Sequence, residues 1–77
     1  MPHLIVKMYP GRTEEQKKNL AIALNQAVID TLGVPDEAIS IGIEEVSKDD
    51  WEANVTRVDI APKLDTIYKH SHSSRPK

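Results

Sequence analysis

The sequence contains no cysteine and no phenylalanine, and it has one tryptophan and two tyrosines among 77 residues. Without cysteine no disulfide can staple the fold. Without phenylalanine any core must be built from Ile, Leu, Val and Ala. No stretch approaches the roughly 18 consecutive apolar residues of a membrane span, and the N-terminus lacks the basic segment and apolar run of a signal peptide. Net charge is −2 and the pI is near 5.8, so there is no excess of cations to track a phosphate backbone. Gly-rich phosphate loops, nucleophile elbows and zinc-ligand spacings are missing as well. His70-Ser71-His72 has no acidic or Cys ligand beside it and reads as part of a polar tail rather than a metal site. These absences predict a cytoplasmic globular protein that works without nucleic acid, membrane or metal.

What is present is enough for one small domain over residues 1–77. A chain this short is marginal alone, and self-association is the obvious remedy. Residues 2–9 (PHLIVKMY) read as a strand with Leu4, Val6 and Met8 on one face and His3, Ile5, Lys7 and Tyr9 on the other, closed by a Pro10-Gly11 turn. Thr13-Glu14-Glu15-Gln16 has the form of a capping box. The apolar spacing of Leu20, Ala23, Leu24, Ala27, Val28 and Leu32, widened by Ile22 and Ile29, predicts a helix over 14–32. Gly33 and Pro35 stop it. Residues 39–46 (ISIGIEEV) alternate as a second strand.

The fold class is therefore α+β, a single β-α-β unit with two parallel strands and a right-handed crossover. Two strands do not make a self-sufficient sheet, so oligomerisation is expected to complete it. Beyond it, Ser47 is placed to cap a short helix through Trp51 to about Val55. Residues 59–69 are expected to form another, with Pro62 in its first turn and Ile60, Leu64, Ile67 and Tyr68 on its buried side. Residues 70–77 (HSHSSRPK) read as a frayed tail.

One position carries chemistry of its own. Pro2 follows Met1 directly, and trimming of Met1 would leave proline as the terminus, a secondary amine. An ordinary α-amino group titrates at about 7.7–8.0. Burial in an apolar pocket or nearby cations would lower that value toward neutrality, where a base can take a proton from one atom and return it to another. If Met1 stays, the nitrogen is an amide without basicity, and Pro2 merely starts a strand.

With Pro2, Gly11-Arg12, Thr13-Glu14-Glu15-Gln16-Lys17, the strand at 39–46 and Trp51 laid out in order, the chain resembles the 4-oxalocrotonate tautomerase family. The likeness covers roughly residues 2–55. It implies the tautomerase fold and a cofactor-independent isomerase that interconverts enol and keto forms of 2-oxo acids. By position Pro2 matches the general base, Arg12 a substrate-binding arginine and Trp51 the aromatic that keeps the pocket apolar. Ser40 stands where hexameric members carry a second arginine, so polarisation of the 2-carbonyl must come from elsewhere: backbone N–H groups, a water or the Trp51 indole. Ser40, Trp51 and the longer tail resemble the family's dimeric branch, for which ketonisation of phenylenolpyruvate is the expected activity. A homodimer is expected, with a hexamer as the alternative. His3 follows the base, but strand alternation turns it to the opposite face.

Strand rise separates Pro2 from Arg12 by roughly 25–30 Å in one chain. If both serve one site, Arg12 comes from a neighbour across a two-fold axis. Two other readings stay open: a different proline-based reaction, dehalogenation or decarboxylation, and a non-catalytic oligomeric module.

Overall fold

The computed structural model describes residues 1–71. His72 and most of the expected tail over 70–77 lie outside the described residues. Contacts divide the chain into a first unit, Met1–Glu45, and a second that begins at Val46.

In the first unit β1 (His3–Met8) and β2 (Ser40–Glu45) pair in parallel, with His3 opposite Ser40, Ile5 opposite Gly42 and Met8 opposite Glu45. Both strands are trimmed by a residue at each end relative to the alternation pattern, because Pro2 and Ile39 precede the ladder and Tyr9 and Val46 follow it. Between them runs α1 (Glu14–Leu32), giving the β-α-β unit that the sequence predicts. Thr13 caps it. Its Oγ1 accepts from the Gln16 N–H, and Gln16 Oε1 accepts from the Thr13 N–H, so both halves of the capping box are made. At the far end Gly33 takes φ +70° and donates its N–H to Ile29 O at 2.9 Å, the left-handed stop that glycine adopts without strain.

Leu4, Val6 and Met8 share one sheet face with Ile41 and Ile43, and all five are half-buried. The helix side is narrower than its apolar spacing predicts. Leu20, Ala21, Leu24, Asn25, Val28 and Ile29 are half-buried, whereas Ala23 and Ala27 are exposed, and Ile22 and Leu32 are 68% and 61% exposed. Two strands cover only a strip of the helix, which leaves the flanks of the stripe bare.

In the second unit Ser47 accepts from the Asp50 N–H and starts α2 (Lys48–Trp51), as expected. The chain then stays helical instead of stopping near Val55. Glu52–Ile60 is π-helical, and Ala61–Thr66 follows as 3₁₀ turns with a kink at Lys63. A separate helix over 59–69 is thus not formed. Pro62 does sit in a first turn, but of the 3₁₀ segment, and Ile67 is already extended. Ile60 and Ile67 are half-buried, while Leu64 and Tyr68 are exposed. Val55 is the one apolar residue among those described that is buried. Among the described residues no helix is long and apolar enough to cross a membrane.

Candidate active site

Pro2 sits at the head of the β1–β2 ladder, half-buried, and its carbonyl accepts the Ser40 N–H at 3.2 Å. Met1 ahead of it is completely exposed. Ser40 is therefore brought beside Pro2 by the first rung of the sheet. The next contact was not legible from alternation alone. His3 Nδ1 lies 2.6 Å from Ser40 Oγ, across the register pair that joins the two strands. Side chains alternate between faces, but the atom of interest at Pro2 is a backbone nitrogen, to which a rule about side chains does not apply. Pairing the two strand starts, His3 against Ser40, is the signal that would have found this contact.

Arg12 lies at the other end of β1. The six residues of that strand span roughly 20 Å, and the turn through Gly11, at φ +124°, follows before Arg12 is reached. Pro2 and Arg12 of one chain thus sit at opposite ends of the same strand. Arg12 is exposed and, among the described residues, has no ion-pair partner. It lines a cleft of about 190 Å³ together with Met8, Gln16, Lys17 and Leu20. Lys17 adds a cation there, but one already engaged: its Nζ is 2.9 Å from Glu14 and 3.5 Å from Glu45, and its side chain is only 18% exposed. The hydrogen bond to Glu14 holds the Lys17 ammonium above the ordinary lysine range, against desolvation and with help from both carboxylates. The same hydrogen bond holds Glu14 below the ordinary carboxylate range. Arg12 is left as the uncommitted charge of the cleft.

Trp51 closes α2 in the second unit, half-buried and with an interaction partner of its own. Among the described residues no group of three or more His, Cys, Asp or Glu is placed to hold a metal ion.

A proline at the ladder head, a strand, a Gly-Arg turn and a capped helix are features that a sequence family can share in order, and the model of the tautomerase enzyme family matches residues 2–59. The chain belongs to the 4-oxalocrotonate tautomerase family. Within that family it is similar to a probable tautomerase of Bacillus cereus, 48% identical over 58 residues that cover 75% of this chain and 95% of the relative. Tautomerase PptA of Enterobacter sp. is 34% identical over 70 residues, 90% of this chain and 92% of that one. A 2-hydroxymuconate tautomerase of Bacillus subtilis is 47% identical over 51 residues, 66% and 82% respectively. Among solved structures the fold is similar to YwhB, a homologue of 4-oxalocrotonate tautomerase, with TM-score 0.61 and 48% identity over 62% of this chain and 79% of that one. A structure analysed for trans-3-chloroacrylic acid dehalogenase activity also aligns, with TM-score 0.61 and 35% identity over 64% of this chain and 92% of that one. The tautomerase fold and an isomerase activity on a small molecule follow from this membership.

Proposed function

We propose that this chain ketonises the enols of 2-oxo acids, with the Pro2 nitrogen as general base once Met1 has been removed. The observation that carries the reading is the anchoring of Pro2. Its carbonyl is held by Ser40, while Met1 packs against nothing. Cleavage after Met1 therefore bares a secondary amine already fixed at the head of the sheet, with no rung of the ladder lost. The amine takes the enol hydroxyl proton, becomes a secondary ammonium, and delivers that proton to C3 as the C2–O bond becomes a carbonyl. One proton moves from oxygen to carbon, and no cofactor enters the balance.

Negative charge develops on the C2 oxygen between those two transfers and needs a donor. Ser40 supplies it. With the His3 tautomer that carries hydrogen on Nδ1, His3 donates to Ser40 Oγ and leaves the hydroxyl hydrogen free for the substrate. Arg12 of a second copy pairs with the substrate carboxylate, in the bidentate geometry a guanidinium favours. The separation of Pro2 and Arg12 along β1 supports a site shared between subunits, and a homodimer is the smallest assembly that provides it. By its position in the family pattern Trp51 is the candidate for the pocket's aromatic residue. The family match crosses from the first unit into the second, which supports one tautomerase domain over residues 1–77.

The test pairs intact mass with kinetics. Wild-type protein is expected to lack Met1, and Pro2→Ala, which still offers a primary amine, is expected to ketonise phenylenolpyruvate at least about a hundredfold more slowly. Retained Met1 in an active enzyme, or wild-type turnover by Pro2→Ala, would remove the base assignment. Because a similar structure was analysed for trans-3-chloroacrylic acid dehalogenase activity, a 3-chloroacrylate arm in the same assay tests the second reading, hydration by the same amine.

A further inference from the structure

The cleft beside Arg12 contains an amide whose outer end the capping box does not use. Gln16 Oε1 accepts from the Thr13 backbone N–H at 2.9 Å and lies 3.4 Å from the Thr13 hydroxyl. A backbone N–H only donates, so this contact fixes which end of the amide is oxygen. Nε2 is thereby turned away from the cap, and among the described residues its hydrogens meet no acceptor. The same side chain lines the cleft with Arg12, Lys17, Met8 and Leu20.

The choice of residue is informative because glutamate would close the same capping box. Glu14 and Glu15 occupy the two preceding helical positions, yet the position that faces the cleft carries the neutral isostere. A glutamate there would set an anion beside the one uncommitted cation. Glutamine instead offers two N–H donors, while the Lys17 charge is already spent on Glu14 and Glu45.

We propose that Gln16 is a specificity-determining residue that donates from Nε2 to the substrate carboxylate held by Arg12. The inference rests on the reading of Arg12 as the carboxylate anchor. It makes the cleft selective for a compact carboxylate with both oxygens engaged, one set of lone pairs by the guanidinium and another by the amide.

Gln16→Glu is the decisive variant, because it keeps the cap and changes only the outer end of the side chain from donor to acceptor. Its melting temperature is expected to equal or exceed wild type. KM for phenylenolpyruvate is expected to rise about tenfold or more, with the loss falling on KM rather than kcat, while the methyl ester of the same enol shows no difference between the two proteins. Arg12→Ala is run alongside. If Arg12→Ala raises KM for the acid and Gln16→Glu does not, Gln16 only caps the helix and the proposal is overturned while the Arg12 reading stands. If neither variant moves KM, the cleft is not the carboxylate site and both fall. An equal rise for acid and ester would mark a general disturbance of the cleft, which also overturns it.

Discussion

Replacing Ser40 by alanine removes a hydroxyl that the fold places at the Pro2 end of the sheet. In the ground state the hydroxyl gains little, because Ser40 is exposed and its bond to His3 is between two surface groups. The substitution should therefore change folding stability by no more than about 0.5 kcal/mol. On the proposed mechanism the same hydroxyl would face a developing enolate in the transition state, and a hydrogen bond to a charged group contributes about 1.5–3 kcal/mol. Since each 1.36 kcal/mol is a factor of ten in rate, kcat should fall by about tenfold if the site stays wet and by about a hundredfold if assembly excludes water. The assay is steady-state ketonisation of phenylenolpyruvate with a melting curve as control. His3 extends the test. His3→Leu should lose a similar factor, while His3→Asn, whose side-chain nitrogen lies one bond from Cγ as Nδ1 does, should recover most of it. The double variant should be no slower than Ser40→Ala alone, because the two act through one hydrogen bond. A Ser40→Ala enzyme within about threefold of wild type in kcat, with the fold intact, would show that the enolate oxygen is held by something else.

Mixing Pro2→Ala with Arg12→Ala, each strongly impaired alone at substrate well below the Arg12→Ala KM, should restore about a quarter of wild-type activity, because half the dimers are mixed and each mixed dimer has one intact shared site; no recovery on mixing would place both residues in one subunit's site. Gly11→Ala should destabilise the protein by about 1–3 kcal/mol, because φ +124° is strained for any side chain although a Cβ there meets nothing within 4 Å; a melting temperature unchanged from wild type would refute the strain argument. Lys17→Met should remove a stabilising clamp that operates over a defined pH window. Glu14 is depressed below 4.5, so its contribution is present above that value and is lost as pH falls through the folded-state pKa; Lys17 is raised above 10.5, so its contribution is present below that value and is lost as pH climbs past it. Melting curves in low and high salt at neutral pH check this: wild type should respond to salt more than Lys17→Met does.

Helix α1 was readable to the residue because its signals are local. Thr13 and Gln16 satisfy each other within one turn, and Gly33 supplies a left-handed stop that no neighbour has to enforce. The strands were readable because Leu4, Val6, Ile41 and Ile43 alternate. Legibility failed where the deciding interaction is distant or repeated. The Ser47 cap announced a start for α2, but nothing in EANVTRVDI says that the turn will widen to π spacing, and Pro62 looked like the start of a new helix when it only enters a 3₁₀ turn. Ile22 and Leu32 fit the apolar period yet lie bare, because periodicity reports which side of a helix is greasy and not how wide a surface will cover it. Alternation turns His3 away from the neighbouring side chains of β1, but it says nothing of the Pro2 backbone nitrogen, the proposed base. Gln16 was legible as a cap; that its other end faces a cleft depends on where β1 delivers Arg12.

Self-association would answer both the unpaired sheet edge and the distance between Pro2 and Arg12. The sheet face carrying His3, Ile5 and Lys7 with Ser40 and Gly42 leaves Ile5 52% exposed, and Tyr9 just beyond it is 48% exposed. No edge of a two-stranded sheet is paired within its own unit. A second copy laid against β1 in antiparallel sense would pair an edge and carry its own Arg12 toward this chain's Pro2, since the two residues mark opposite ends of the same strand. Desolvation at that contact would push the Pro2 amine down toward neutrality. It would also strengthen the Ser40–His3 hydrogen bond, which in the lone chain competes with water. On that arrangement stability and catalytic competence would rise with the same association, so dilution that lowers the melting temperature should lower specific activity in parallel.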